Sequence, residues 1–233
     1  FLLQYLIDYC ANNRFTILSG MTGTGKTEII HLLPNGVDLE GAANHKGSSF
    51  GRPLDEQPVQ IDFENRIAID LLKVSDQHPD TAVVLEDESR NIGARHLPHY
   101  FADQMALGQF AVIEMDFEER LERLWQEYVV ERYLKTMAFF GADGENEFAC
   151  YLRDSLLRIQ KRLGGQRTKE LLASMDNAIA VQHSDNFASH RHWLSVITRD
   201  YYDPMYCYQL EKKKDRVVFR GSRDAVIEWL QHS

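Results

Sequence analysis

The sequence is poor in cysteine, and the few cysteines it has are far apart. Cys10, Cys150 and Cys207 are odd in number and follow no metal-binding spacing. They exclude the disulfide framework that holds small secreted domains together. This use of cysteine suits a reducing compartment, and we expect a cytoplasmic protein.

The sequence also lacks a long hydrophobic run. No apolar stretch approaches the roughly 20 residues that a bilayer span requires, so we expect no membrane association. The apolar residues at 1–10 are interrupted by Gln4 and Asp8 and follow no basic stretch. They predict an amphipathic helix packed on the domain rather than a signal peptide. Because the sequence begins with Phe1, we expect further residues upstream.

Positive charge is in deficit, since the formal net charge is −9. This excludes nonspecific binding of nucleic acid by the whole surface, although it allows a local basic patch. Hydrophobic residues make up 44% of the 233 residues. That fraction is ample for the core of one large domain, or of a domain with an insertion.

One glycine-rich stretch predicts a phosphate-binding loop. It follows the pattern G-x-x-x-x-G-K-T and comprises Gly20, Met21, Thr22, Gly23, Thr24, Gly25, Lys26 and Thr27. Residues 15–19 predict a buried strand before it, and residues 28–33 predict a helix after it. Strand, loop and helix is the setting in which backbone N–H groups and a helix dipole hold an anion. We therefore expect Lys26 to contact a phosphate and Thr27 to ligate Mg²⁺.

Acidic residues follow two further predicted strands. Residues 81–85 predict a buried strand, after which either Glu86 or Asp87 would hold Mg²⁺ beside Thr27. Residues 37–41 predict a short strand that carries Asp38 and Glu40. Carboxyl ends of parallel strands face the ligand crevice, so these carboxylates would lie near the phosphates; an acidic turn is the alternative.

Residues 42–58 form a long segment without periodicity, which predicts a functional loop. It contains candidate substrate-binding side chains, namely His45, Lys46, Ser48 and Arg52. Arg90, in a later loop, would neutralise phosphate oxygens or else form a surface ion pair.

The predicted elements alternate as β-α-β-α-β-α-β up to residue 115, with one helix expected over 62–74 and capped by Asp62. This order predicts a P-loop NTPase-like α/β fold, in which a parallel sheet carries helices on both faces. Residues 117–213 show helical spacing and predict a helical insertion before a last strand at 216–220. We therefore divide the chain into an α/β domain, 1–116 with 214–233, and a helical subdomain, 117–213.

Two basic clusters lie in or beside the helical part. Lys161, Arg162 and Arg167 surround a Gly-Gly pair, and Lys212 and Lys213 follow a tyrosine-rich stretch at 201–208. Both clusters are candidates for contacts with RNA phosphates, and the tyrosines for base stacking. Composition alone favours solvated surface and tyrosine packing.

Seven stretches together resemble one family, the bacterial tRNA 2-selenouridine synthases. They run along essentially the whole chain: GMTGTGKT, NGVDLEGAANHKGSSFGR, FEN at 63–65, VLEDESRNIG, RLERLWQEY, KRLGGQR and YYDPMYCYQLEKKKDRVVFRG. The middle and final stretches are far more specific than the phosphate loop, which many unrelated proteins share.

The resemblance implies tRNA as a partner and two small substrates, geranyl diphosphate and selenophosphate. Geranyl would be transferred to the sulfur of a wobble 2-thiouridine, and selenium would then replace the geranylated sulfur. It also implies an N-terminal rhodanese-like domain with a catalytic cysteine. None of the three cysteines here lies in such an active loop, so the selenium step would depend on that other domain.

Under this interpretation, the phosphate loop, Lys26, Thr27 and Mg²⁺ held by Glu86 or Asp87 would stabilise the leaving diphosphate. Two alternatives remain open at the level of sequence. One is a small-molecule kinase or NTPase whose helical part is a lid, and the other is a noncatalytic tRNA-binding module.

Overall fold

The structure is a computed structural model that describes residues 1–232. In chain order its strands are β1 (Phe15–Gly20), β2 (Gly36–Val37), β3 (Val83–Glu86), β4 (Asn91–Ile92), β5 (Arg95–His96), β6 (Gln109–Ile113) and β7 (Val217–Gly221). Five of them form one parallel sheet in the order β2-β3-β1-β6-β7. The predicted parallel sheet is confirmed, and β1 lies at its centre.

Within residues 1–232, thirteen helices surround or extend this sheet. They are α1 (Leu2–Asn12), α2 (Lys26–Leu32), α3 (Leu39–Ala43), α4 (Gln60–Gln77), α5 (His99–Met105), α6 (Phe117–Trp125), α7 (Arg132–Phe140), α8 (Gly144–Arg158), α9 (Gln160–Leu163), α10 (Gly165–Val181), α11 (His190–Ile197), α12 (Asp203–Glu211) and α13 (Arg223–His232). Short π-helical segments join α6 to α7 and α11 to α12, so each pair continues as one helical stretch.

Alternating side chains of the strands bury both faces of the sheet. Ile17 of β1 and Leu85 of β3 belong to a cluster with Phe63 of α4 and Phe101 of α5. Leu18 of β1 belongs to another cluster, with residues of α2 and α13. Strand residues that alternate in this way and cover both faces require helices on each side, which is the predicted α/β arrangement.

Two local predictions were wrong. Residues 37–41 are not a strand: only Gly36–Val37 pairs with β3, and Asp38 then caps α3 by accepting a hydrogen bond from the Gly41 N–H at 2.6 Å. An Asp side chain competes with strand pairing in this way. Asp62 is not the cap of α4 either, since that helix starts at Gln60 and places Asp62 in its first turn.

The helical part has a hydrophobic core of its own. Trp193, Phe148 and Leu152 are fully buried in it. Phe50, from the segment between α3 and α4, inserts into the same core, and its ring centroid lies 5.5 Å from that of Trp193. Arg120 of α6, 3% exposed, pairs with Asp203 of α12 and donates to the Thr22 carbonyl. The helical part therefore packs directly against the phosphate loop, while the domain boundaries at 116/117 and 213/214 stay a prediction.

A search of residues 1–232 for helices long and apolar enough to cross a bilayer finds none.

We predict that Phe50→Ala lowers the free energy of unfolding by about 3 kcal/mol, because it removes a buried aromatic side chain from a packed core. Urea denaturation followed by tryptophan fluorescence measures this change. Leu134→Ala, on an exposed position of α7, is the control and should change the free energy little. Equal effects of the two substitutions would contradict the anchoring role of Phe50.

Candidate phosphate-binding site

The loop between β1 and α2 has the backbone conformation of an anion cradle. Gly23 and Gly25 have φ angles of 84° and 74°. A side chain at Gly23 would also place its Cβ 2.8 Å from the carbonyl oxygen of Arg120. Glycine is therefore required at position 23 both by the backbone angle and by the close approach of α6.

The side chains of the loop contact the loop backbone and neighbouring elements. Lys26 Nζ donates to the Gly20 carbonyl at 3.1 Å and lies 5.5 Å from the ring centroid of Tyr206. Thr24 Oγ1 donates to the Met21 carbonyl at 2.9 Å, which closes the loop from inside. Thr27 Oγ1 donates to a carboxylate oxygen of Glu40 at 3.1 Å. The cation and the hydroxyl thus line the same concave surface.

Three glutamates converge beside Thr27. Glu86 is 1% exposed, and one of its oxygens accepts hydrogen bonds from the Leu39 and Glu40 N–H groups, at 3.2 and 3.3 Å. Its other oxygen is buried without a hydrogen-bond partner. Burial, together with the charges of Glu40 and Asp38, raises the pKa of Glu86 to about 8. An unpartnered buried carboxylate oxygen of this kind is suited to a cation.

Sequence reasoning missed the third glutamate, Glu88. Burial and the charge of Glu40 raise the pKa of Glu88 well above its usual value, while Lys26 opposes that rise. The available signal was spacing, because an extended chain returns to the same side every second residue and Glu88 is two residues after Glu86.

Asp87 has different partners from Glu86 and Glu88. It accepts a hydrogen bond from Ser19 at 2.7 Å, and it forms an ion pair with Lys213 at 2.5 Å. The sequence left the choice of Glu86 or Asp87 open. The geometry places Glu86 beside Thr27 and Asp87 next to the strand that leads into the loop.

Mg²⁺ prefers oxygen ligands, and the Thr27 hydroxyl with Glu40 and Glu86 supplies them. No group of three or more His, Cys, Asp or Glu side chains between residues 1 and 232 is arranged to hold a metal ion. Mg²⁺ here would therefore share its coordination with phosphate oxygens and water, as is usual for this ion. The assignment of Thr27, Glu86 and Asp87 to a magnesium site stays a prediction.

Two arginines beside the loop were also missed. Arg123 of α6 and Arg223 of α13 both pair with Glu28, and Arg223 donates to the Gly25 carbonyl at 3.4 Å. Arg123 and Arg223 follow Glu28 by 95 and 195 positions in the sequence, so no local pattern connects them to it. The one sequence signal is that Arg123 lies within the family-like stretch 120–128. Arg90, by contrast, is exposed, and among the described residues it is not one of those that line the cavity over the loop.

Cavities lie on both sides of the loop. One, of about 110 Å³, is lined by Lys26, Thr27, Glu40, Glu88 and Arg123. The other, of about 190 Å³, has Gly20 and Met21 at one end. Its lining combines apolar residues of β6, the chain after it and α12 with charged residues; the apolar ones include Val112, Ile113, Met115 and Leu210, and the charged ones are Asp87, Glu114, Arg120 and Arg220. The same loop thus borders a charged cavity and one with an apolar side.

The segment 44–59 closes over the charged cavity. Lys46 pairs with Glu127, and the Ser48 hydroxyl donates to Tyr128 at 2.9 Å. The N–H of Gly47 donates to Glu40. Of the predicted substrate-loop residues, Lys46, Ser48 and Glu40 therefore lie together. Asp38 instead caps α3 and contacts His31, while His45 and Arg52 line a separate groove.

The predicted tRNA contacts lie in different environments. Lys213 pairs with Asp87 as described, and Lys212 lies 4.1 Å from the ring centroid of Tyr208. Arg167 pairs with Glu170 and Asp200, and Arg162 is within 3.5 Å of the Tyr201 hydroxyl. Lys161 is exposed in α9. Contact of these residues with RNA stays a prediction.

Comparison with known proteins decides the family. A model described as the tRNA 2-selenouridine synthase AAA domain matches residues 13–233. The chain belongs to this family. Among its relatives are proteins named tRNA 2-selenouridine synthase from Shewanella frigidimarina (46% identity), Cupriavidus pinatubonensis (44%) and Salmonella enteritidis (44%). The matches cover 99%, 99% and 95% of this chain, but only 63%, 63% and 61% of the relatives. No solved structure matches significantly.

We predict that Glu28→Gln raises the affinity for inorganic diphosphate about threefold, because it frees Arg123 and Arg223 from a competing partner at an exposed position. Isothermal titration calorimetry measures the affinity. Glu131→Gln removes the same charge from the Lys135 pair on α7, so it serves as the control. An equal gain in the control would mean that net charge alone is responsible.

Proposed function

We propose that this chain is the transferase part of a tRNA-modifying enzyme, and that it binds a prenyl diphosphate and a tRNA bearing 2-thiouridine. The observation that carries the proposal is the glycine-rich loop bordered by a cavity of about 190 Å³ that has Met21, Ile113 and Leu210 in its lining. A diphosphate esterified to a short isoprenoid has two matching parts, an anionic group for the loop and an apolar chain for the cavity. The name of the family refers to a modified uridine in tRNA, which agrees with a tRNA as the other substrate.

The donor that fits the family is geranyl diphosphate. Its diphosphate would lie on the N–H groups of residues 20–27, with Lys26, Arg123 and Arg223 around it. Its apolar chain would lie against Met21, Ile113 and Leu210. Each buried CH₂ contributes about 0.8 kcal/mol, so the apolar cavity would discriminate in favour of a long isoprenoid.

The reaction needs no nucleophile from the protein. The sulfur of 2-thiouridine forms a bond to C1 of the geranyl group while the bond from C1 to the diphosphate oxygen breaks. The electron pair leaves with the diphosphate, and the N3 proton of the base is released to water. Lys26 and the two arginines offset the growing negative charge on the leaving group. Mg²⁺, when bound through Thr27 and Glu86, would add Lewis-acid stabilisation of the same oxygens.

Replacement of the geranylated sulfur by selenium from selenophosphate is the second half of the proposed sequence. We assign its catalytic cysteine to a rhodanese-like domain in the remaining length of the relatives. Cys10 of this chain suits that role poorly, because it is buried and burial raises the pKa of its thiol to about 12.

A P-loop kinase or NTPase with a helical lid is the second candidate. It is favoured by Arg123, which reaches the phosphate loop from the helical part as a lid arginine would. Incubation with thiolated tRNA and geranyl diphosphate, followed by mass analysis of nucleosides, separates the candidates. Geranylated nucleoside supports the transferase, whereas ATP hydrolysis without that product would overturn it. Tight tRNA binding with neither activity would instead mean a noncatalytic tRNA-binding module.

We predict that Lys26→Ala slows geranyl transfer at least about a hundredfold, because one charge-stabilising group is lost from the leaving diphosphate. Affinity for tRNA, measured by filter binding, should change by less than about twofold. Lys73→Ala, at an exposed position of α4, is the control for both assays. Loss of tRNA affinity in Lys26→Ala would place RNA, rather than diphosphate, on the loop.

We predict that Leu210→Trp raises the KM for geranyl diphosphate about tenfold, because a larger side chain fills the cavity that would hold the isoprenoid. Affinity for inorganic diphosphate should not change. Leu134→Trp, at an exposed position, is the matched control. If Leu210→Trp left the KM unchanged, the isoprenoid would lie elsewhere.

A further inference from the structure

An open groove of about 1140 Å³ lies beside the phosphate site and is larger than either cavity at the loop. One wall is the segment 44–59 with the β4–β5 hairpin, and the other is formed by α7 and α8. Four arginines from four different elements line it, namely Arg52, Arg95, Arg132 and Arg158. Arg52 is one of the substrate-binding residues predicted from the sequence, and the other three arginines have no role in the reaction described above.

The groove arginines lack anionic partners. Within residues 1–232, no carboxylate lies within 4.0 Å of any of the four guanidinium groups, although fifteen ion pairs occur elsewhere. The Nε atoms of Arg95 and Arg132 are buried without a hydrogen-bond partner, as is His45 Nδ1. Buried polar atoms of this kind normally have a partner, so the wall of the groove is incompletely satisfied by the protein's own groups.

The cations also lie near one another in an acidic protein. Burial is the main cause that lowers the pKa of Arg132, and the charge of Arg52 acts in the same direction. Burial likewise lowers the pKa of His45, and the charge of Arg158 adds to that effect. Asp55, Glu56 and Glu147 also line the groove. These carboxylates do not pair with the arginines. Arg132 donates to the Arg52 carbonyl at 2.7 Å and lies over the Tyr151 ring, so Arg52, Arg95 and Arg158 are the guanidinium groups that an external polyanion could contact.

Two exposed aromatic rings also line the groove. Phe139 and Phe140 are the last residues of α7, with exposures of 59% and 37%, and their ring centroids are 4.8 Å apart. Two adjacent exposed phenylalanines in the lining of a groove form an apolar patch that can serve a contact. Aromatic faces beside arginines are the combination that holds unpaired nucleotides, through stacking and phosphate contacts.

The groove adjoins the phosphate site at residues 47 and 48. Gly47 and Ser48 line both the groove and the cavity over Lys26 and Thr27. A chain lying in the groove would therefore pass over residues 47–48 and reach the loop. The basic clusters chosen from sequence are less suited to this task, since Lys213 and Arg167 already have carboxylate partners.

We infer that this groove binds the unpaired nucleotides next to the reacting uridine, with Arg52 and Arg158 on phosphates and Phe139 and Phe140 on a base. The inference rests on the proposed tRNA substrate. The inference goes further than the proposed function because it names the surface that binds the RNA. It also requires that the bound RNA segment be single-stranded rather than paired.

The test uses fluorescence anisotropy with a labelled tRNA anticodon stem-loop and a fully paired RNA of equal length. The wild-type chain should prefer the stem-loop. Arg158→Glu, and separately the double variant Phe139→Ser/Phe140→Ser, should each weaken stem-loop binding roughly tenfold. The arginine variant should flatten the salt dependence, whereas the phenylalanine variant should leave the salt slope unchanged.

Arg14→Glu is the matched control, because Arg14 is exposed before β1 and so lies at the opposite end of the sheet from the loop. It should change affinity less than about twofold. Binding of inorganic diphosphate, measured by calorimetry, should be normal in every variant, which shows that the fold is intact. If the chain binds the stem-loop but the groove variants behave like Arg14→Glu, the groove is not the RNA-binding surface. The proposal that tRNA is the substrate is then unaffected. If the wild-type chain binds neither RNA, the tRNA substrate itself is overturned, and with it the inference.

Discussion

The insertion of Phe50 into the helical core is the contact on which the site depends. It fixes the middle of a long irregular segment, and so holds Lys46, Gly47 and Ser48 over the phosphate loop. A segment of this length loses much conformational entropy when it is ordered, and a buried aromatic ring with neighbouring hydroxyl contacts offsets that cost. Without this anchor, the wall between the phosphate cavity and the groove would not be fixed.

The parallel sheet supplies the other half of the site. Because every strand of a parallel sheet ends at the same edge, the residues after β1, β2 and β3 meet there. This edge brings together Lys26, Glu40 and Glu86, which are far apart in sequence. The helical part then packs on the loop through Arg120 and Arg123, and it covers a side of the loop that the sheet leaves uncovered.

Much of this arrangement could be predicted from the sequence. Strand, glycine loop and helix at 15–33 are local, and their hydrophobic and glycine patterns are strong. The parallel direction of the strands follows from the alternation of strands and helices. A strand at 37–41 is predicted from the sequence, but the capping bond of Asp38 starts a helix there instead.

The rest depended on long-range packing that no local pattern encodes. Arg123 and Arg223 meet at Glu28 only after α6 and α13 pack on the loop. The groove arginines come from elements separated by up to a hundred residues, so their spacing in sequence carries no signal. Lys213 illustrates the converse: it lies in a conspicuous basic run, yet in the fold it pairs with Asp87. Charge runs in sequence are therefore a weaker guide to an RNA surface than unpaired cations in the structure.

The most direct test of the central claim is a crystal structure of the chain with geranyl diphosphate. The account predicts that the diphosphate lies on the N–H groups of residues 20–27, that Lys26 leaves the Gly20 carbonyl to contact it, and that the isoprenoid lies between Met21 and Leu210. Electron density for the diphosphate away from this loop, or for the isoprenoid outside that cavity, would contradict the account.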